Sequence, residues 1–237
     1  MTTSGVGESA KLGFFLPCLN EAGSIAQVVG ALRERFPRAP IVVVDDGSSD
    51  DTAKVAAAAG AYVANLCTNM GIATACLAGL ACCRALGCER IVRLDGDGQH
   101  SPADVRSLLE SSAADLVVGS RYLAGATYTS PVREAGIHLL CLTFRVLHRR
   151  RVTDPTSGFR VYSAAFADWL LASQYPSDFP EPEEIAAALD SKRFTVSETA
   201  VATRAREHGV SSIGSLSAAY FMFKVMASLL LRRVLFL

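Results

Sequence analysis

Along the chain, short and mostly apolar runs alternate with stretches whose apolar residues recur at helical spacing. The runs Leu12 to Leu16, Ile41 to Val44, Ala61 to Leu66, Arg90 to Leu94 and Asp115 to Val118 have strand length and are bounded by Pro, Asp or Gly, which predicts buried strands. Between them, Ser24 to Phe36 carries Ile25, Val28, Val29 and Leu32 on one helical face, Thr52 to Ala59 is Ala-rich and closed by Gly60, Thr74 to Leu86 is apolar, and Pro102 to Ser111 follows a Ser101 cap. None of the strand runs alternates apolar with polar. That absence, with the strand-helix alternation, predicts an α/β fold with a mainly parallel central sheet flanked by helices on both faces. Pro17 is expected to stop the first strand.

From about Arg121 the pattern changes to a polar loop, a long helix from Val132 to Leu147 and a basic cluster at Arg149, Arg150 and Arg151, which reads as a solvated or lipid-headgroup-facing patch. From Leu216 to Leu237 the chain is nearly all apolar apart from Ser217, Lys224, Ser228, Arg232 and Arg233, spaced as one narrow polar stripe. Such a helix lies in a membrane interface, or packs on its own domain or on a second subunit as a homodimer. No stretch reaches the roughly eighteen uninterrupted apolar residues of a membrane span.

The 237 residues suit one large domain. Lys plus Arg equals Asp plus Glu at 23 each, so no global field attracts nucleic acid, and no nucleic-acid module signature is present. The seven cysteines form no CxxC or paired Cys/His pattern and read as reduced apolar residues. Residues 1–9 are polar and lack an apolar h-region, so the expected location is the cytoplasm or the cytoplasmic face of a membrane.

Chemistry concentrates where the strands are expected to end, the edge at which open parallel sheets bind ligands. Directly after Arg90 to Leu94 come Asp95, Gly96, Asp97, Gly98, Gln99 and His100. In an extended or tightly turned stretch, side chains at i, i+2 and i+4 share a side, so Asp95, Asp97 and Gln99 offer three oxygen ligands to Mg²⁺ or Mn²⁺. Mg²⁺ takes one or two carboxylates and completes its shell with water and substrate phosphate, which anticipates a phosphorylated ligand. A lone DxD is more often a solvated turn. The preceding strand and the following Gln-His strengthen this one.

Leu16-Pro17-Cys18-Leu19-Asn20-Glu21, Val44-Asp45-Asp46-Gly47-Ser48 and Asp95 to His100, in that order, resemble family 2 of the nucleotide-sugar glycosyltransferases, on the GT-A fold. Gly119 to Tyr122, Ser130 to Arg133, Asp154 to Arg160, Phe179 to Glu183 and Arg206 to Ile213 are similar to the dolichol- and polyprenyl-phosphate mannosyltransferase branch. The resemblance covers roughly residues 12 to 230. It implies a donor and metal half at about 12–120, an acceptor half at about 121–215 and a C-terminal apolar helix at about 216–237.

The implied activity is inverting transfer of a hexose from a GDP- or UDP-linked nucleotide sugar to a polyprenyl phosphate. The resemblance puts the donor on Pro17, Asn20, Glu21, Asp46, Gly47, Ser48, Gly71 and Asp95, the metal on Asp95, Asp97 and Gln99, and Arg206 on the donor's distal phosphate, with Asp97 and Arg206 catalytic. It puts the acceptor on Arg121, Ser130, Arg133 and Glu183. Arg121 has a competing structural reading as an ion pair with Asp154, and Asp154 itself reads as a turn brace. A phosphate acceptor is already ionised and needs no general base. A hydroxyl acceptor on a small molecule or glycan, the runner-up, needs one, and Glu183, Glu181 or Asp154 are the candidates. A sugar-nucleotide pyrophosphorylase is disfavoured because no Gly-rich basic loop follows the first strand. Cys18-Leu19 stands where relatives have a small residue and an aromatic, which leaves the donor base open.

Overall fold

The computed structural model describes residues 11–126, 131–173, 180–202 and 224–231. Strand-helix pairs open the chain: β1 (Leu12–Cys18), α1 (Ile25–Arg35), β2 (Ile41–Asp45), α2 (Thr52–Ala58), β3 (Tyr62–Asn65), α3 (Ile72–Ala85), β4 (Arg90–Arg93) and α4 (Asp104–Ser111). Then follow β5 (Leu116–Ser120), α5 (Pro131–Leu147), β6 (Arg160–Ser163), α6 (Ala164–Ala172), α7 (Pro180–Ser191) and β7 (Val196–Ala200). The strands form one sheet in the order β3-β2-β1-β4-β6-β5-β7. Every pairing is parallel except those of β6, which runs antiparallel to both β4 and β5.

The missing period-two pattern has a direct cause. On β1, Phe14, Leu16 and Cys18 enter one core cluster with α1 and α4, while Phe15 enters the other with α3, α6 and α7. Both faces of the strand are apolar, so nothing alternates in the sequence.

Pro17 does not end β1. It pairs in register with Val44, and Cys18 with Asp45. In a parallel strand the N–H and C=O of one residue face the same neighbour, and Phe15, two residues earlier, faces β4, accepting from the Leu94 N–H at 3.2 Å. Pro17 faces the same side, but the register with β4 stops at Phe15 and Arg93, so its missing N–H removes no ladder bond. A second difference is at α4, which starts at Asp104; the Ser101 hydroxyl accepts from the Ala103 N–H in the turn before it. β6, α6, α7 and β7 are elements that the sequence pattern does not predict. Within the helical residues 224–231, Val225 and Leu229 are buried in the core cluster that also holds Leu140 and Phe144 of α5, while Leu230 and Leu231 are exposed.

Helix α3 lies close against β1. A Cβ at Gly79 would meet the Phe15 ring at 2.3 Å. Gly→Ala inside a helix ordinarily stabilises by about 0.5–1 kcal/mol. At Gly79 the sign should invert, with Gly79→Ala lowering stability by about 1–3 kcal/mol through overpacking. A urea midpoint measured beside that of Gly30→Ala, where the Cβ meets nothing within 4 Å, checks this.

Candidate active site

Three loops meet at the carboxyl ends of β1, β2 and β4. Asn20, after β1, has φ +57°, a left-handed conformation that Asn tolerates better than most residues. From there its Oδ1 accepts from the Ser49 N–H at 2.8 Å, and its own N–H donates to Ser48 Oγ at 2.9 Å. The Glu21 N–H donates to Thr52 Oγ1 at 2.8 Å, so the β1 loop is stitched to the β2–α2 loop. Ser24 Oγ donates to the Gly96 carbonyl at 2.8 Å and to Glu21 Oε2 at 3.1 Å, tying the same loop to the turn after β4.

Asp46 is nearly buried, and its two oxygens accept from the Met70 N–H at 2.7 Å and the Gly71 N–H at 3.0 Å. A carboxylate from β2 thus occupies the N-terminus of α3, where the helix dipole favours negative charge. Gly71, which the resemblance puts at the donor, thus already gives its N–H to Asp46. Gly47 is required: its φ is +75°, and a Cβ there would stand 2.6 Å from the Thr68 backbone.

After β4 the chain turns rather than extends. Gly98 has φ +76°, and Asp97, 8 % exposed, accepts from the Gln99 N–H at 3.0 Å through Oδ1. The Asp95 side chain is more open, at 37 %. His100 is buried, stacks on Phe159 with centroids 5.1 Å apart, and accepts from the Asp95 N–H at Nδ1 (3.3 Å). Burial lowers its pKa, against the pull of Asp95 and Asp97, so the ring is the neutral acceptor its hydrogen bond requires.

Cys18 reports the local field. Burial raises its pKa well above the usual thiol value, and Glu21, Asp95, Asp45 and Asp97 push it further in that direction. Glu21 of the loop after β1, Asp45 at the end of β2 and Asp95 and Asp97 of the turn after β4 all act on this one thiol. Two glycines leave room for them: a Cβ at Gly96 would lie 2.4 Å from Cys18 Sγ, and one at Gly158 would lie 2.8 Å from Asp95 Oδ1.

These donors fit a hard divalent cation. Two carboxylates and an amide oxygen stand in one turn, and among the described residues no third His, Cys, Asp or Glu joins them in a group able to hold a metal. That is the donor count of an ion which keeps positions for water and phosphate.

Beneath the turn lies a charged network that the sequence did not reveal. Arg93, the last residue of β4, is 1 % exposed. Its Nη2 donates to Glu181 of α7 at 2.5 Å and lies 3.8 Å from Asp95 Oδ1, while Nε and Nη1 are buried without a hydrogen-bond partner among the described residues. Arg160, wholly buried, donates through Nη1 to Glu184 at 2.9 Å, and Tyr162 donates its hydroxyl to the same Glu184 oxygen at 2.9 Å. Burial pushes the Glu184 carboxyl up, opposed by Arg160 and Arg93. The first turn of α7 is thereby fixed to the strand that leads into the Asp95–His100 turn.

The residues expected to hold the acceptor are arranged differently from one another. Arg121 donates through Nε (2.7 Å) and Nη2 (2.8 Å) to the fully buried Asp154 and through Nη2 to Thr156 Oγ1 (3.0 Å), so the ion pair foreseen as its structural reading is formed. Asp154 is braced from behind by Glu198 of β7, which accepts from the Thr153 and Asp154 N–H groups. Glu183 is 3 % exposed and accepts from Ser228 Oγ at 2.6 Å. That bond fastens the C-terminal helical segment to α7. Ser130, Arg206 and the Arg133 side chain lie outside the described residues.

A mainly parallel sheet with acidic turns at the carboxyl ends of β2 and β4 defines a nucleotide-sugar transferase of the GT-A type. A model of glycosyl transferase family 2 matches residues 14–167, and the chain belongs to that family. It is similar to a polyprenol monophosphomannose synthase of Mycolicibacterium smegmatis, with 29% identity over 89% of this chain and 83% of that protein. An undecaprenyl-phosphate mannosyltransferase of Micrococcus luteus is 32% identical over 63% of this chain and 65% of that protein. Among solved structures, glucosyl-3-phosphoglycerate synthase from Mycobacterium tuberculosis, crystallised with Mn²⁺, UDP and phosphoglyceric acid, superposes with a TM-score of 0.72 at 21% identity, covering 95% of this chain and 78% of that one. The enzyme is a glycosyltransferase.

Two outcomes are expected. Glu181→Ala leaves Arg93 charged in the core with only the longer contact to Asp95 among the described residues and should cost about 3–5 kcal/mol in urea denaturation, most of it recovered in the double variant Arg93→Met, Glu181→Gln. Gly158→Ala should leave the melting temperature within about 2 °C, because only the end of the Asp95 side chain has to move. The Mn²⁺ concentration that half-saturates turnover should nevertheless rise by about tenfold or more, as when a metal ligand's support is lost.

Proposed function

We propose that this enzyme transfers a hexose from a GDP- or UDP-linked sugar to a polyprenyl phosphate, with inversion and with Mg²⁺ or Mn²⁺ bound at Asp95, Asp97 and Gln99. Bound there, the cation would stabilise charge on the departing nucleoside diphosphate. Glu21, Asp46, Gly47, Ser48 and the Pro17 and Asn20 backbone form the donor's base and ribose side, near Gly71. Arg206 is assigned to the donor's distal phosphate, and Ser130, Arg133 and Arg121 to the acceptor phosphate. Asp154 and Thr156 hold the Arg121 guanidinium in one orientation through its Nε and Nη2 donors, which fixes where its positive charge stands.

One observation carries the choice of acceptor. The three carboxylates able to serve a hydroxyl acceptor as general base are engaged elsewhere: Glu181 with Arg93, Glu183 with Ser228 and Asp154 with Arg121. An ionised phosphate oxygen needs no proton removed. It can attack the anomeric carbon while the bond to the nucleoside diphosphate breaks, and no group on the chain has to take up a proton. Among the described residues no helix is long and apolar enough to cross a membrane, so a lipid acceptor would be met at a membrane surface.

Assays with GDP-mannose and UDP-glucose against undecaprenyl phosphate and a soluble alcohol test this reading. Product should form only with the phosphate, and Glu183→Gln should keep turnover within about threefold, whereas loss of a general base costs about 10²–10⁴. Turnover with the alcohol alone would overturn the assignment.

A further inference from the structure

Helix α5 is apolar on two opposite faces. Ile137, Leu140 and Phe144 are buried in the core. On the other side Leu139, Leu142 and Val146, at positions i, i+3 and i+7, form a stripe that is 45 %, 53 % and 68 % exposed, and the exposed Ala135 extends it by one turn. A helix with one core to face needs only one apolar face. Leu123 adds to this surface. It is 49 % exposed and belongs to the short turn after Arg121, whose Tyr122 ring is 6.4 Å from His138 of α5.

Charge is distributed unevenly beside the stripe. The whole chain is neutral, yet residues 135–153 contain Arg145, Arg149, Arg150 and Arg151 and no Asp or Glu. All four arginines are exposed. Arg149 has φ +54°, and this left-handed residue ends the helix and starts the turn that presents Arg150 and Arg151. The helix dipole accounts for a cation in the last turn. It does not account for four together, or for leucines exposed next to them.

We infer that the outer face of α5 docks on an anionic lipid bilayer, with Leu139, Leu142 and Val146 entering the headgroup boundary and Arg145, Arg149, Arg150 and Arg151 contacting lipid phosphates. This names the surface for the membrane contact in the proposed function, and rests on that reading only for its purpose, since binding needs neither donor nor acceptor. Apolar side chains on one face with basic residues alongside are the features that hold a helix in the plane of an interface. The stripe adjoins the turn that follows Arg121, so a bilayer at this face would bring lipid phosphates close to the proposed acceptor site.

The test is co-sedimentation of the full chain with vesicles of phosphatidylcholine alone or with phosphatidylglycerol added, without nucleotide sugar. The wild type should bind the anionic vesicles and leave them as salt is raised. Leu142→Asp should weaken partitioning by about tenfold or more. Arg145→Gln, Arg150→Gln and Arg151→Gln together should weaken it about a hundredfold, with Arg149 left in its turn. A wild type that stays in the supernatant overturns the inference, as does binding unaffected by these variants but abolished by Leu230→Asp with Leu231→Asp. A dimer in light scattering that Leu142→Asp converts to monomer would give the face to a second copy. A melting temperature lowered by more than about 4 °C in Leu142→Asp would mean that the chain itself covers the stripe. Vesicle binding by an enzyme that glycosylates only alcohols would uphold the docking surface while overturning the acceptor, so the two failures are separable.

Discussion

Glu21, Asp45, Asp95 and Asp97 lie close enough to Cys18 to raise its pKa beyond what burial does, and holding that much negative charge at one sheet edge constrains everything around it. Like charges at about 4 Å repel by about 1 kcal/mol in water and about four times that at the effective dielectric of a protein surface. Contacts that fix such groups in place limit the repulsion, and a bound cation would offset it. The contacts are visible: Ser24 ties Glu21 to the Gly96 carbonyl, Ser48 donates to Asp45, and the Gln99 N–H donates to Asp97.

The same constraint explains features deeper in the fold. Gly96 and Gly158 are where neighbouring groups approach too closely for a Cβ, the first against Cys18 and the second against Asp95. Arg93 places a permanent positive charge under the turn, anchored by Glu181. Because Glu181 belongs to the first turn of α7, the part of the chain that follows Arg121 is joined to β4 and the turn after it. β6 makes the same connection in the backbone, pairing antiparallel with β4 on one side and β5 on the other.

Much of this was legible because it is local. Strands β1 to β5 and helices α1 to α5 are continuous apolar or helical patterns, and Asp95, Asp97 and Gln99 are neighbours in sequence. The parts that could not be read depend on distant partners. β6 begins with Arg160, whose charge is met by Glu184, 24 residues further on, and β7 is a polar edge strand, Val-Ser-Glu-Thr-Ala, without a strand signature. Arg93 looks like a polar interruption in an apolar run until Glu181 is placed beside it, and Gly158 looks like turn punctuation until Asp95 is above it. Pro17 misled because its effect depends on which neighbour its nitrogen faces and where that neighbour ends.

The central claim is that a divalent cation on the turn after β4 couples the acidic edge to the donor's diphosphate. Calorimetric titration of UDP and of GDP into the protein, in Mn²⁺ and then in EDTA, tests it without dependence on acceptor or turnover. Binding of at least one of the two should weaken by about tenfold or more when the metal is removed, and to the same extent in Asp95→Ala with Mn²⁺ present. Equal affinity in Mn²⁺, in EDTA and in the folded Asp95→Ala variant would contradict the account.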